Sequence, residues 1–210
     1  MKTQKLVALT FDDGPGEYTH RLLDALKAAG AVATFFMIGQ NVSAYPEAVR
    51  RMVAEGHQLG NHSWDHPDIR TLSATQLTEQ LERTSAMIAG TAGVRPEVFR
   101  PPYGLHDPHQ DALIGYPLVL WDVDTRDWEH HDSHQAFRTT MDQARAGSVI
   151  LMHDIHESSI ALVPRLVAAL KSAGYTPVTV NELFTGQLQN SVAYHAAGTD
   201  GSGGLFGIEP

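Results

Sequence analysis

Short apolar runs alternate with amphipathic stretches along most of the chain, and this alternation limits the fold more than any other feature of the sequence. A short continuous apolar run predicts a buried strand, whereas apolar residues every three or four positions predict a helix. Strands that alternate with helices are expected to lie parallel, because parallel strands need a crossover connection. The sequence therefore predicts an α/β protein built on a parallel sheet.

Seven strands are predicted. They are Leu6–Phe11, Ala33–Ile38, Gln58–Asn61, Val98–Arg100, Leu118–Val123, Ser148–His153 and Thr176–Val180. The predicted helices are Thr19–Ala29, Pro46–Glu55, Ser73–Ala89, Phe137–Ala144 and Ala161–Ala173, with a turn of helix around Leu183. No G-x-G-x-x-G follows the first strand, so a dinucleotide site has no support. The strand pattern alone leaves open a doubly wound sheet and a barrel.

The length of 210 residues favours one domain. We expect this domain to occupy residues 1–185, followed by a Gly-rich tail over residues 186–210 that lies on its surface. The linker-like part of this tail is Thr199–Gly204.

Composition excludes several functional classes. The chain has 24 acidic and 15 basic residues, a net charge of −9, and no run rich in Lys or Arg, so we expect no nucleic-acid partner. No apolar run is long enough to predict a membrane span. The absence of cysteine excludes disulfides, thiolate zinc sites and thiol catalysis. No leader-like segment precedes Leu6, which leaves a cytoplasmic location and a removed leader both open.

Polar side chains collect where predicted strands end. This edge of a parallel sheet is where α/β proteins build their sites, and several strands contributing to it favours a barrel. The residues, in strand order, are Asp12 and Asp13, His62 and His66, Arg100, Asp124 and Asp127, and His153 and Asp154.

Two of these groups together predict a metal site. Asp12 and Asp13 are adjacent carboxylates whose repulsion a divalent cation would relieve, although an Asx-turn or helix cap is an alternative. His62 and His66 are four residues apart and can share one face of a helical turn, although two surface histidines in a loop is an alternative. A carboxylate with two imidazoles leaves coordination positions open and suits Zn²⁺, with Co²⁺ or Ni²⁺ tolerated.

Arg100 and His153 are the other candidates for chemistry. Arg100 begins a rigid Arg-Pro-Pro-Tyr-Gly segment, and we expect its charge to pair with Asp12. His153 ends an otherwise apolar strand, where it is either a satisfied core residue or a general acid. The remaining histidines are interpreted as surface residues: His20, His57, His106, His109, His130, His131, His134, His156 and His195.

Five motifs follow one another between about Leu6 and Phe184. They are Thr-Phe-Asp-Asp-Gly-Pro at 10–15, the His62 and His66 pair, Arg-Pro-Pro-Tyr-Gly at 100–104, Asp127-Trp128, and Leu-Met-His-Asp at 151–154. In these motifs and their order the chain resembles the polysaccharide deacetylases, also called NodB-homology proteins or family 4 carbohydrate esterases. The resemblance implies a distorted (β/α) barrel, with about seven parallel strands.

The resemblance also implies a role for each motif residue. The metal ligands would be Asp13, His62 and His66, and the base would be Asp12, tethered by Arg100. The acid would be His153, oriented by Asp127, and the backbone N–H of Tyr103 would help to hold the oxyanion. Leu151 and Trp128 would line the pocket for the acetyl methyl group.

The function implied is release of acetate from polymers or oligomers of N-acetylglucosamine, with chitin as the expected substrate. Deacetylation of acetylated xylan or of peptidoglycan is an alternative. Trp64, Tyr103 and Trp128 suit stacking on sugars, but each could equally be a core residue. We expect a monomer that is extracellular or bound to the cell wall, its leader absent from this sequence, with a cytoplasmic location still open.

Two other functional classes have less support in the sequence. An inactive carbohydrate-binding module would need a substituted base or acid, and Asp12 and His153 are both present. A metallophosphatase would need a second metal site, and the sequence offers ligands for one.

Overall fold

The computed structural model describes residues 4–197, and nine strands within this range form one sheet. The strands are β1 (Lys5–Asp12), β2 (Thr34–Met37), β3 (Gln58–Asn61), β4 (Val98–Phe99), β5 (Leu118–Val119), β6 (Val123–Asp124), β7 (Val149–His153), β8 (Tyr175–Val178) and β9 (Ala193–Tyr194). Their pairings are parallel, in the order β6-β7-β1-β2-β3-β4-β5-β9, with β8 beside the first half of β1. The predicted parallel α/β fold is confirmed.

Helices surround this sheet. They are α1 (Thr19–Ala29), α2 (Gly39–Val42), α3 (Pro46–Ala54), α4 (Ala74–Ala92), α5 (Pro108–Ile114), α6 (Asp127–His130), α7 (Ser133–Gln143), α8 (Glu157–Ser172) and α9 (Val180–Leu183). Helix α4 begins with the predicted capping box, in which the side chains of Ser73 and Gln76 bond each other's backbone N–H groups. Within residues 4–197, none of the helices has the length and apolar character needed to cross a bilayer.

The sheet curls until its two ends meet, which gives the distorted barrel. Strands β5 and β6 lie near opposite ends of the strand order, yet only residues 120–122 separate them in the chain. On the far side of β5, the chain continues beyond β9 to Ala196, which forms an isolated antiparallel bridge with Ser148, the residue before β7. A chain that crosses from one end of the sheet to the other in three residues requires those ends to be neighbours.

The strand between Leu118 and Val123 was predicted as continuous, whereas the structure has two short strands there. Asp122 accepts hydrogen bonds from the Val149 N–H and the Ser148 hydroxyl. These bonds direct the segment between β5 and β6 away from β9 and towards β7. Strand β9 was not predicted, since two residues carry no period of their own. The Gly-rich run Thr199–Gly204 lies outside the described residues, and the domain division at residue 185 stays a prediction.

Side chains along each strand point alternately to the two faces of the sheet, and this separates an outer core from the barrel interior. In β1, Val7, Leu9 and Phe11 pack against the helices. The intervening Ala8 belongs to a second cluster, and Thr10 beside it donates to the backbone of β7. Continuing this alternation places Asp12 on the interior face, at the carboxyl end of the strand.

One histidine interpreted as a surface residue is in the core. His57 is 7% exposed, and its Nδ1 accepts a hydrogen bond from the Ala33 N–H at 3.1 Å. Its ring packs edge-on against Phe35, with centroids 5.3 Å apart. Burial lowers the pKa of His57 to about 4, so the ring is neutral at pH 7.

Candidate active site

A fully buried arginine holds the first carboxylate of the Asp pair. Arg100 Nη1 donates to Asp12 Oδ1 at 2.7 Å and to Thr10 Oγ1 at 2.9 Å. Its Nε and Nη2 donate to the carbonyls of residues 119 and 120, at 2.7 and 2.9 Å, and its guanidinium lies 4.1 Å from the Phe36 ring centroid. Burial lowers the pKa of Arg100, while the Asp12 carboxylate raises it. The pair is thus a buried ion pair with its donors satisfied, which fixes the orientation of Asp12.

The second carboxylate belongs to the metal-ligand cluster. Asp13 Oδ1 lies 3.4 Å from His62 Nε2 and 3.4 Å from His66 Nε2. One ligand atom from each of the three residues lies within 4.8 Å of the others, and no other group of three within residues 4–197 meets this criterion. Burial raises the pKa of Asp13, but the adjacent His62 imidazole outweighs it, and His153 and His66 add to this, bringing the pKa to about 2.

The donor set of this cluster fits a divalent ion. Asp13 Oδ1 is buried and has no hydrogen-bond partner among the described residues, an arrangement that is costly without a cation. His62 Nδ1 donates to the carbonyl of Arg100 at 2.7 Å, and since a carbonyl only accepts, this bond fixes the tautomer. The unprotonated Nε2 then faces Asp13. Metal-ligating histidines are typically held by such a bond through their other nitrogen.

The loop from His62 to His66 is anchored to helix α4 by a residue that the sequence did not single out. Gln80 Oε1 accepts from the backbone N–H of Trp64 at 2.7 Å and from that of Asp65 at 3.3 Å. Its Nε2 donates to Asp65 Oδ1 at 2.8 Å. Since Gln80 follows the loop by fourteen residues on an ordinary helix, its position in the chain gave no signal.

Four non-glycine residues in the site have left-handed backbone conformations. They are Asp13 (φ 74°), Ser63 (φ 65°), His66 (φ 63°) and Tyr103 (φ 60°). This conformation is unfavourable for residues with a Cβ, and it persists only where the surroundings enforce it. Here it belongs to two metal-ligand candidates, the loop between the histidines, and the residue predicted to supply the oxyanion N–H.

His153 and Asp127 form a second buried pair. Asp127 accepts from His153 Nδ1 and from the His153 N–H, both at 2.8 Å, and also from the Ser159 hydroxyl. Burial lowers the pKa of His153, but Asp127 outweighs it, with Asp12 and Asp13 adding to the effect, and the pKa rises to about 9. His153 is therefore an imidazolium at neutral pH. In the strand register it lies directly beside Asp12.

Asp154 and Gly14 shape the turn that carries the Asp pair. Asp154 is fully buried, and its Oδ2 accepts from the Thr19 hydroxyl at 2.6 Å. A Cβ on Gly14 would lie 2.1 Å from both Asp154 carboxyl oxygens, so only glycine fits there. Burial raises the pKa of Asp154 to about 7 despite the Thr19 bond, and the Asp13 charge contributes in the same direction. The sequence placed Asp154 at the sheet edge but gave it no role.

One cavity of about 420 Å³ brings the predicted residues together. The predicted site residues that line it are Asp12, Asp13, His62, His66, Tyr103, Trp128, Leu151 and His153. Arg100 and Asp127 lie behind this wall, bonded to Asp12 and His153. Every predicted site residue therefore lines this cavity or is bonded to a residue that lines it.

The aromatic residues divide between this cavity and other surfaces. Tyr103 and Trp128 line it and are 64% and 48% exposed. Trp64 is outside it, packed under the Arg83 guanidinium at 3.7 Å. Trp121 lines the cavity and packs on Gly104, although the sequence assigned it to the interior of a strand. In the structure it lies in the break between β5 and β6.

Comparisons with known proteins agree with this geometry. The family model described as polysaccharide deacetylase matches residues 1–114. The peptidoglycan-N-acetylglucosamine deacetylase PgdA of Listeria monocytogenes is 39% identical over 92% of this chain, and this chain spans 42% of the length of that protein. A chitin deacetylase of Pestalotiopsis sp is 42% identical over 82% of this chain and 61% of its own length.

A solved structure, a T48 deacetylase with substrate, is 54% identical and superimposes with a TM-score of 0.90. The match covers 91% of this chain and 96% of that one. From the family model, the identity and the shared fold together, the chain belongs to the polysaccharide deacetylase family.

Proposed function

We propose that this chain is a metal-dependent hydrolase that releases acetate from polymers of N-acetylglucosamine, such as chitin or its oligomers. One observation carries the proposal: a buried carboxylate, Asp12, and an imidazolium, His153, lie side by side in one cavity beside a carboxylate–imidazole metal-ligand cluster. A base and an acid that are both in their active forms at one pH are what hydrolysis of an amide requires.

Asp13, His62 and His66 would hold the ion in this proposal. A divalent ion at such a site supplies Lewis acidity towards the acetyl carbonyl and makes water more acidic. The mixed set of one oxygen and two nitrogen ligands suits Zn²⁺, with Co²⁺ or Ni²⁺ as alternatives. The unpaired, buried Asp13 Oδ1 supports a resident cation.

Asp12 is proposed as the base that takes a proton from the attacking water. The Arg100 guanidinium directs Oδ1 of Asp12 into the barrel, and Asp12 Oδ2 lies 3.7 Å from His62 Nε2, beside the metal-ligand cluster. The arginine thus acts through Asp12 and holds one orientation of the carboxylate.

His153 is proposed as the acid that protonates the leaving nitrogen when the carbon–nitrogen bond breaks. Asp127 accepts from Nδ1, which directs Nε2 away from Asp127 and stabilises the imidazolium. The proposal further assigns the Tyr103 N–H to the oxyanion, and its left-handed backbone sets the direction of that N–H. Together these groups transfer one proton from water and one proton to the amine.

The acetyl methyl group is proposed to lie against Leu151 and Trp128. Leu151 is 3% exposed and two residues before His153 on the same interior face of β7, so it forms the apolar floor beneath the acid. Trp128 follows Asp127 directly and is half exposed at the cavity wall. These two apolar side chains in the lining of the cavity suit contact with a methyl group.

Two substrates from the same reaction class are alternatives: acetylated xylan, an ester, and the N-acetylglucosamine of peptidoglycan. The resemblance to PgdA supports the second, and the described contacts concern the acetyl end more than the sugar. An inactive carbohydrate-binding module has little support, because the base, the acid and their partners Arg100 and Asp127 are all in place. We further propose that the chain is a monomer and that it acts outside the cell or at the cell wall, where peptidoglycan, the polymer in the name of PgdA, is found.

The proposal is tested by measuring acetate release from chitin oligomers, acetylxylan and peptidoglycan in parallel, each with added Zn²⁺ and with a chelator. We expect metal-dependent release, highest on the chitin oligomers. Faster release from acetylxylan or peptidoglycan would show that the preferred substrate is different, while the proposed reaction would stand. Absence of acetate from all three, in a protein that has bound its metal ion, would overturn the proposed reaction.

A further inference from the structure

His62 and His66, the two histidines of the metal-ligand cluster, are held by different means. The His62 ring is fixed through its other nitrogen, because Nδ1 donates to the Arg100 carbonyl at 2.7 Å. For the His66 ring, residues 4–197 provide packing instead, against the rings of His62 and Tyr103 with centroids 4.9 and 4.5 Å apart. The position of His66 Nε2 therefore depends on where the loop backbone places this residue.

The backbone of the loop that carries His66 is held in an unfavourable conformation. Ser63 and His66 both have left-handed φ angles, of 65° and 63°. Residues with a Cβ keep this conformation only where their surroundings enforce it. The loop therefore needs partners outside itself, and two neighbouring helices provide them.

Helices α2 and α4 hold the loop from two sides of its hydrogen bonding. Helix α2 donates to it, through bonds of 2.9 and 3.1 Å from its first two N–H groups to the carbonyls of Ser63 and Trp64. Helix α4 accepts from it, because Gln80 Oε1 lies 2.7 Å from the Trp64 nitrogen and 3.3 Å from the Asp65 nitrogen. One side chain on α4 is thus the acceptor for two consecutive N–H groups of the loop.

The Gln80 amide is itself held in one orientation. Its Nε2 donates to Asp65 Oδ1 at 2.8 Å, and since a carboxylate only accepts, this bond turns the amide oxygen towards the loop N–H groups. Helix α4 also contacts the Trp64 ring, which lies 3.7 Å from the Arg83 guanidinium. A Cβ on Gly39 of α2 would lie 2.6 Å from the same ring, so Trp64 packs against both helices.

We propose that Gln80 is a positioning residue for the metal site: by holding the N–H groups of residues 64 and 65, it keeps His66 where its imidazole can bind the ion. The proposal rests on the proposed function, because it concerns the ion of the metal-ligand cluster. Gln80 acts through the loop, since its side chain is bonded to the loop and does not line the active-site cavity. Partners that orient metal ligands typically contribute about 10-fold to 100-fold in metal affinity.

The test is a set of Zn²⁺ dissociation constants, measured on the folded, initially metal-free protein by competition with a coloured chelator. Gln80→Ala removes the acceptor, whereas Gln80→Glu keeps it but places a second carboxylate against Asp65. Combining Gln80→Glu with Asp65→Asn restores the bond with donor and acceptor exchanged, at the same total charge as the wild type. Asp65→Asn alone measures the effect of the lost charge. Thr78→Ala, at an exposed neutral residue of α4, is the matched control.

We expect Gln80→Ala to weaken Zn²⁺ binding about tenfold or more, within the range for such partners. Gln80→Glu should weaken it as well, because like charges repel. The double variant should return close to the wild-type dissociation constant, and the control should match the wild type. At saturating Zn²⁺, kcat should stay near the wild-type value, since Arg100 and Asp127 hold the proposed base and acid independently of α4.

Unchanged Zn²⁺ binding in Gln80→Ala would overturn this role of Gln80, even if the melting temperature of the metal-free variant fell. A double variant that binds Zn²⁺ as weakly as Gln80→Glu would also overturn it. If Gln80→Ala does not fold, the comparison of Gln80→Glu with the double variant decides alone.

The proposed function fails separately. A wild type that binds Zn²⁺, with variants that respond as expected, but that releases no acetate from any substrate would overturn the proposed function and leave the role of Gln80 standing. A wild type that binds no Zn²⁺ would overturn both.

Discussion

Arg100 and Asp12 form a buried ion pair, with 2.7 Å between Nη1 and Oδ1. The backbone carbonyl of the same arginine accepts from His62 Nδ1, also at 2.7 Å. One residue at the end of β4 thus fixes both the proposed base on β1 and a metal-ligand candidate after β3. The base and the cluster keep their relative position because both depend on Arg100.

Asp12→Asn is expected to keep the metal ion and lose most of the turnover. Asparagine preserves an oxygen that accepts from Arg100 but cannot take a proton from water. Loss of an acid or base typically reduces the rate by about 10²–10⁴. The measurement is kcat together with the metal content of the purified variant. Retention of more than about a tenth of the wild-type kcat, judged against that range, would place the base elsewhere.

His153→Ala is expected to reduce the hydrolysis of amides much more than that of an activated aryl acetate. An amine leaves poorly unless its nitrogen is protonated, whereas an aryl oxide leaves without an acid. The metal content should stay unchanged, because His153 is bonded to Asp127 and is not part of the Asp13 cluster. Equal losses on both substrates, or a loss of the ion, would make His153 a structural residue or a ligand.

Asp127→Asn is expected to move the alkaline limb of the kcat profile to lower pH. Asp127 raises the pKa of His153 to about 9, so the acid stays protonated, and the enzyme active, up to about that pH. Removing the carboxylate charge destabilises the imidazolium, and His153 then loses its proton at a lower pH. The limb is measured on an N-acetylated oligomer, with activated aryl acetate as the control substrate. An unmoved limb would assign it to another group.

His57→Asn is expected to reduce the loss of stability in acid. The pKa of His57 is about 4 in the folded protein and near its usual value of 6.5 when unfolded, so the unfolded chain binds the proton first. Stability is therefore present above pH 6.5 and lost as the pH falls towards 4. Between pH 7 and pH 5 the wild type should lose about 2 kcal/mol more free energy of unfolding than the variant.

Asparagine at residue 57 can still accept from the Ala33 N–H, so the comparison isolates the titration. The measurements use metal-free protein in chelator, which removes any contribution from metal release. His109→Asn, at an exposed histidine, should follow the wild type. Identical pH dependence in wild type and His57→Asn would show that His57 titrates normally in the folded protein.

The sequence predicted the fold where local signals were strong. Each strand with a long apolar run was found, and α4 began at the capping box, because such patterns act within a few residues. Helix α8 begins at Glu157, four residues before the predicted start at Ala161, and no side-chain capping bond from His156 marks that start. Helix α5 was missed, although Asp107 caps it and Pro108 occupies its first turn.

The site residues were likewise predicted where the signal was local and missed where it was not. Motif residues adjacent in the chain, such as Asp12 and Asp13, were found because their chemistry is visible locally. Gln80 and Trp121 were missed, since each reaches the site through a contact that only the folded barrel creates. His131 was interpreted as a surface residue, and the structure shows that it is exposed.

The most direct measurement is a titration of metal-free protein with Zn²⁺, with acetate release from an N-acetylglucosamine oligomer followed at each addition. We expect no release at the start, a linear rise, and saturation at one ion per chain, because Asp13, His62 and His66 provide a single site. Asp13→Ala should need a much higher Zn²⁺ concentration. Full acetate release by protein that elemental analysis shows to be free of metal would contradict a metal-dependent deacetylase.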